Sequence, residues 1–325
     1  MYIMPVLNFD PPTKGETARA VARVRGGKYD KDILYLHEGN VKGRTPTPSF
    51  DRSKYVKMLM SLKPLDRVKA FNHIEEALSA ELPTSSLVGE DKVVKDVYDL
   101  IQHDVSKGKG IKLDEDGMFD LLPSPDPHRR EVWYIAGASG SGKSYVAKGL
   151  GEYYRKLFPE REVYLISKLE PEKGGTIESM AGGAPKRIKI DSLIVDYPSL
   201  DEFKDCMVIF DDYDTFTGDA EKTVTKLIDD LATMGRHTNT TMLCLSHYLT
   251  QYKKTRLILN EATHIVVYPQ ATSYHALLYL LKNYVGVDEE DIKQLRKCGS
   301  RWLCFGKNFP QYVITQQSAR LLHTD

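Results

Sequence analysis

Gly137-Ala138-Ser139-Gly140-Ser141-Gly142-Lys143-Ser144 is the stretch on which the reading of this chain turns. It fits the pattern G-x-x-x-x-G-K-[ST], a phosphate-binding loop. Its glycines let the backbone curl so that successive N–H groups point inward, and a helix beginning there adds its positive end. Lys143 can then reach the β- and γ-phosphates of a nucleotide, and the Ser144 hydroxyl can ligate Mg²⁺. The flanks agree. Residues 131–136 read as a short apolar strand running into the loop, and residues 143–158 place Val146, Leu150, Tyr153, Tyr154 and Leu157 at helical spacing. A glycine turn that binds nothing would need neither flank.

Downstream, apolar strands alternate with helices, the pattern of a mostly parallel sheet covered on both faces. Residues 161–167 form the next strand, followed by a glycine- and charge-rich loop that ends in the basic run Lys186-Arg187-Ile188-Lys189. Residues 206–212 (CMVIFDD) then form an apolar strand ending in Asp211 and Asp212, the form of a Walker B element whose Asp holds the Mg²⁺ shell. Alone, four apolar residues before an acid are a common strand ending; placed 68 positions after Lys143 with one strand between, they gain weight. The expectation is that this strand tip adjoins that of the P-loop strand, so that one magnesium bridges carboxylate and triphosphate. A helix over 220–234 leads to Gly235-Arg236-His237 and a buried strand over 241–246 with His247 at its carboxyl end. Ligands sit at that end of open parallel sheets, so His247 is expected to face the γ-phosphate. A fifth strand (264–268), two helices (273–284 and 288–297) and a hairpin (301–305 with 311–315) complete the chain.

The 325 residues, 41% hydrophobic with mixed charges, describe a globular protein with room for one large or two ordinary domains. No apolar run approaches a membrane span, and MYIMPVLNFDPP lacks the marks of a signal peptide. Cys206, Cys244, Cys298 and Cys304 show no C-x-x-C pairing, which favours reduced thiols over a metal site. Net charge is zero, yet residues 14–69 carry +8 and residues 70–126 carry −8. Either the two blocks match each other or the basic one faces nucleic acid. Strands near 2–9 and 33–36 and helices near 52–62, 64–80 and 91–104 suggest a small α+β region over 1–125, of unknown role. The proline-rich run 121–127 sets the boundary, with the ATPase-type domain over 126–325.

Four segments together resemble the FtsK/HerA superfamily of P-loop motors, and within it the poxvirus-type genome-packaging ATPases of large DNA viruses. They are GASGSGKS, VIFDDYDTF, MGRHTNTTMLCLSHYLT and SRWLCFGKNFPQYVITQQSARLL, spanning roughly residues 120–325. The resemblance implies an α/β, RecA-like (ASCE) P-loop NTPase fold, ATP and Mg²⁺ as cofactors, and ATP hydrolysis driving translocation of double-stranded DNA without sequence preference. It implies a ring homo-oligomer, pentameric or hexameric, with capsid vertex proteins as possible partners and no membrane. The setting would be host cytoplasm or virus factory, or the virion. The nucleotide-binding set is residues 137–145, namely Gly137, Ala138, Ser139, Gly140, Ser141, Gly142, Lys143, Ser144 and Tyr145, with Ser144 and Asp211 on the metal. The catalytic set is Lys143, Asp211, Asp212, Arg236 and His247. Two positions depart from the family pattern: Asp212 stands where Glu is usual, with Asp214 as a neighbour able to share its task, and His247 stands where Gln is usual. Arg236 is either an arginine finger for a neighbouring subunit or a cation at a helix C-terminus; His237 packs or caps. The loop 168–187 and Lys253-Lys254-Thr255-Arg256 are either DNA contacts or solvated segments. Two rivals stand beside the motor: a small-molecule or nucleoside kinase, which would need an arginine-bearing lid, and a nucleotide-dependent assembly protein with little turnover.

Overall fold

The computed structural model describes residues 5–38, 52–79, 87, 91–107, 110–169 and 175–322. The chain divides into two compact units, one of residues 1–41 with 112–325 and one of residues 42–111. The division expected at 125/126 falls inside the larger unit. That unit opens with β1 (Val6–Asn8), β2 (Ala18–Arg25) and β3 (Ile33–His37). The smaller unit holds α1 (Arg52–Val56), α2 (Pro64–Ser79) and α3 (Lys92–Lys107), whose Phe71, Ile74, Val94, Val97, Tyr98 and Ile101 share one core. Within it, Arg52 Nη2 meets Glu75 Oε2 at 2.6 Å. β4 (Gly110–Lys112) lies at the sequence junction, and β5 (Met118–Leu121) pairs antiparallel with β2, completing a small sheet in the order β1-β3-β2-β5. The strands at 18–25 and 118–121 were not evident from sequence, because Ala18–Arg25 alternates arginine with small residues rather than with large apolar ones.

The main sheet is built from β6 (Val132–Ala136), β7 (Val163–Ser167), β8 (Lys186–Arg187), β9 (Met207–Asp211), β10 (Thr241–Ser246), β11 (His264–Val267), β12 (Leu303–Gly306), β13 (Tyr312–Thr315) and β14 (Ser318–Leu321). Their order is β14-β13-β12-β11-β6-β10-β9-β7-β8, parallel from β11 to β8 and antiparallel from β11 to β14. Every residue of β6, β9, β10 and β11 is buried, as expected for strands covered on both sides. Alternation assigns the faces. Val208 and Phe210 join Val132 and Tyr134 in the core that includes Val224, Leu227, Ile228 and Leu231 of α6 (Gly218–Met234). Ile209 points the other way, toward α4 (Lys143–Leu157), where a Cβ added at Gly151 would stand 3.8 Å from Ile209 Cδ1. This is the expected α/β sheet with helices on both faces.

The short α5 (Ile190–Val195) precedes β9, and α7 (Tyr252–Glu261) follows β10. α8 (Tyr274–Leu280) runs on as a wider helical turn, Leu281–Val285, stopped by Gly286 at φ 87°, and α9 (Glu289–Lys297) follows. The expected terminal hairpin is a three-stranded meander. Thr315 Oγ1 accepts from the Ser318 and Gln317 backbone N–H groups at 2.8 and 3.2 Å, so a turn through two glutamines adds β14 without glycine, proline or asparagine to announce it.

Candidate nucleotide site at the carboxyl edge of the sheet

The glycine loop leaves β6 and enters α4 with Gly140 at φ 74° and Gly142 at φ 115°, backbone that a side chain would strain. Gly137 is demanded by closeness instead: a Cβ there would lie 2.6 Å from Tyr268 Cδ2 and 2.8 Å from Ser141 Oγ. Ala138, Ser139 and Gly140 are exposed, whereas Ser141 and Lys143 are buried. Lys143 Nζ donates to the Gly137 carbonyl oxygen at 3.0 Å and stands 3.6 Å from Asp212 Oδ1. Ser144 is half-buried on the first turn of α4, and Tyr145 beside it is 65% exposed.

The strand tips do not adjoin as expected. β10 lies between β6 and β9, and the carboxylates reach the loop from two strands away. What joins the edge together is the end of β10, because Gly137 N–H donates to the Ser246 carbonyl oxygen at 3.0 Å. A linear reading finds each strand but not the lateral order, which long-range pairing sets.

Asp211 Oδ2 accepts from Ser167 Oγ at 3.1 Å, and its Oδ1 is buried without a hydrogen-bond partner. Burial pushes this carboxyl up to about 6, with the neighbouring Asp212 charge adding to the effect. Asp212 adopts φ 46°, left-handed backbone that costs a non-glycine residue about 1–2 kcal/mol, and its Oδ1 also lacks a hydrogen-bond partner. Asp214 is engaged by the end of β10. Its carboxylate is turned away into Ser246 Oγ (2.9 Å) and the His247 backbone N–H (2.7 Å), with His247 Nδ1 at 3.3 Å. His247 Nε2 stands 3.7 Å from Asp212 Oδ1, so His247 reaches the carboxylate pair at the sheet edge.

Arg301 was not singled out from sequence. Its Nε donates to the Ser141 carbonyl oxygen at 2.9 Å and its Nη2 to that of Gly140 at 3.3 Å. A trans peptide points C=O and the next N–H in opposite directions, so this grip turns the Gly142 N–H away from Arg301. Tyr268, at the end of β11, packs on Gly137 and was missed likewise. Both lie far along the chain from the loop, and neither sits in a local motif.

Arg236 is elsewhere. It follows α6 and precedes β10, at the opposite end of the strand that delivers His247. It is exposed, and no described residue accepts a hydrogen bond from its side chain. The helix-terminus role belongs to Arg130, whose Nη1 and Nη2 each donate at 2.6 Å to the carbonyl oxygens of Leu231 and Ala232. His237 is exposed, and its backbone N–H closes the turn onto the Met234 carbonyl at 2.9 Å. Lys253, Lys254 and Arg256 lie on α7 rather than a loop; Lys254 Nζ pairs with Glu221 Oε1 at 2.6 Å and Arg256 Nη1 donates to Tyr252 Oη at 2.6 Å. In the 168–187 segment, residues 170–174 lie outside the described residues, and Arg187 Nη2 is paired with Glu178 Oε1 at 2.5 Å. All four cysteines are free thiols.

The residues present fit a triphosphate with Mg²⁺. Asp211 Oδ1, Asp212 Oδ1 and Ser141 Oγ are buried polar atoms without a hydrogen-bond partner, gathered about a cradle that tolerates no Cβ at Gly137. Among the described residues no group of three or more His, Cys, Asp or Glu could hold a metal ion. Mg²⁺ in nucleotide sites needs fewer, since one carboxylate, one hydroxyl, water and phosphate oxygens suffice.

Protein V3 of Sputnik virophage, uncharacterised, is 32% identical over 243 residues, covering 74% of this chain and 95% of that one. The chain belongs to the V3 family. No family model matches it. Similar solved structures include the genome packaging NTPase B204 of Sulfolobus turreted icosahedral virus 2 in complex with sulfate, 18% identical with a TM-score of 0.39, covering 59% of this chain and 95% of that one. The pCW3 conjugation coupling protein TcpA is 12% identical with a TM-score of 0.40, covering 99% and 89%. Likenesses this distant assign no activity to a V3-family chain. Among the described residues no helix is long and apolar enough to cross a membrane.

Proposed function

We propose that this chain is an Mg²⁺-dependent ATPase that, as a ring, drives double-stranded DNA, with viral genome packaging as its task. One observation carries the nucleotide part: Lys143 Nζ, from the glycine loop, stands 3.6 Å from Asp212 Oδ1, from a strand two places away. A cation and a carboxylate pair brought to one glycine cradle are the parts phosphoryl transfer requires. The loop amides and Lys143 bind the phosphates. Ser144 and Asp211 would hold Mg²⁺, which, when bound, neutralises charge developing on the phosphate oxygens. Asp212 and His247 orient the attacking water, and Tyr145 offers an exposed ring beside the phosphates for the base.

The motor part rests on the sequence resemblance to the FtsK/HerA ATPases, centred on residues 234–250. Arg236 stands at the far end of β10 from its own loop, so a finger role requires a neighbouring subunit's site, hence a ring. Lys253, exposed on α7, is a candidate phosphate contact on DNA. The test is ATP turnover with and without duplex DNA, together with the mass of the oligomer. Stimulation by duplex and a closed ring support a motor. Turnover indifferent to DNA would overturn it, and ATP binding with background turnover would point to an assembly protein instead.

A further inference from the structure

We propose that Asp214 is a positioning residue that fixes the tautomer of His247, so that the ring presents a bare Nε2 to the attacking water; the water's role rests on the ATPase reading above. The carboxylate of Asp214 lies almost fully enclosed, with its side chain 1% exposed. Its Oδ2 accepts from Ser246 Oγ at 2.9 Å and from the His247 backbone N–H at 2.7 Å. Oδ1 faces His247 Nδ1 at 3.3 Å. A carboxylate only accepts, so the hydrogen of this contact belongs to Nδ1. In a neutral ring the lone pair is then on Nε2, which lies 3.7 Å from Asp212 Oδ1.

Lys143 Nζ, 3.6 Å from the same oxygen, offsets its charge, and a donor beside both acceptors can bridge them. One water giving a hydrogen to each fits the span and leaves its own lone pair free for phosphorus. As the water oxygen bonds to the γ-phosphorus, the bond to the β–γ bridging oxygen breaks and its electron pair leaves with ADP. The water's proton passes to Nε2 or to Asp212 and departs with the phosphate product. Asp214 touches neither water nor nucleotide in this scheme. It acts through the ring, and the family's usual Gln would need no such partner because a carboxamide has no tautomers.

The test begins with the ring nitrogens of His247 in the full chain labelled with ¹⁵N-histidine, the signal being assigned by its loss in His247→Gln. In spectra taken where the ring carries a single proton, that proton is expected on Nδ1. In Asp214→Asn the carboxamide oxygen keeps the two donors from Ser246 and His247, its NH₂ turns to Nδ1, and the ring should switch to the Nε2-protonated form. A wild-type ring protonated at Nε2 alone overturns the proposal, and so does an Asp214→Asn ring that does not switch. The wild-type spectrum decides by itself if that variant does not fold, and it decides even if the chain turns over no ATP, an outcome that would fall on the ATPase reading instead. In turnover, Asp214→Asn should lower kcat at least about tenfold with nucleotide affinity within about twofold, yet add less than about twofold in the His247→Gln background. An equal loss in both backgrounds means that Asp214 is merely structural.

Discussion

Arg301 grips the outer side of the glycine loop, donating to the Ser141 carbonyl oxygen from 160 positions downstream. The meander β12–β14 is thus tied to the glycine loop, since the turn before β12 delivers this guanidinium. Replacing Arg301 by Ala leaves two loop carbonyls without their charged donor, and hydrogen bonds to charged groups contribute about 1.5–3 kcal/mol. Nucleotide affinity should fall about tenfold or more, with a lower Tm, as read by calorimetry and thermal melting. Arg301→Lys should recover only part, because one ammonium cannot reproduce the fork.

Lys143→Ala removes the cation closest to the paired carboxylates. ATP turnover should fall by at least about a hundredfold, and nucleotide binding should weaken. Phosphate-release kinetics and equilibrium titration check the two separately. Turnover near the wild-type value would show that the loop is a turn and not a phosphate site.

Asp211→Asn should stabilise the chain without nucleotide while destroying metal-dependent turnover. The Asp211 carboxyl titrates at about 6 in the fold against an ordinary value of 3.8, so the folded state keeps a proton that the unfolded chain has already released. Stability is therefore lost as pH rises from about 4 to about 6, and the loss is complete above that, amounting to about 3 kcal/mol. Denaturant melts in the presence of a chelator should show the variant's advantage growing across that window and then levelling. An advantage that shrinks with rising pH would contradict the buried, half-partnered geometry.

Arg236→Ala should abolish turnover and spare nucleotide binding if the arginine serves a neighbour. Mixing this variant with Lys143→Ala should then restore part of the activity, because a Lys143→Ala subunit can lend its arginine to an intact loop. Two inactive proteins that stay inactive on mixing, while assembling normally, would remove the role in trans.

The glycine loop, the strand ending in Asp211 and the strand ending before His247 were legible because each is a local pattern of apolar run and turn chemistry. Lateral order was not. That β10 separates β6 from β9 follows from pairings such as Cys244 with Tyr134 and with Phe210, which no spacing encodes. For the same reason the contacts of Asp214 with Ser246 and His247 were not legible, since they cross from the end of β9 to the end of β10. Arg301 and Tyr268 carry no motif, and only folding brings them to Gly137 and Ser141. At the other end of the chain, the arginines of β2 masked a strand whose Ala22 and Val24 are buried.

β10 has His247 directly after its last residue, and Arg236 lies in the turn that leads into its other end. The strand is laced by parallel hydrogen bonds to β6 on one side and β9 on the other, over a rise of about 17 Å. A strand held on both flanks cannot slip in register without tearing two ladders at once. If the ring proposed above forms, a signal between the Arg236 end and the His247 end is expected to move β10 with its two neighbours, the ends shifting together like the tips of a stiff beam.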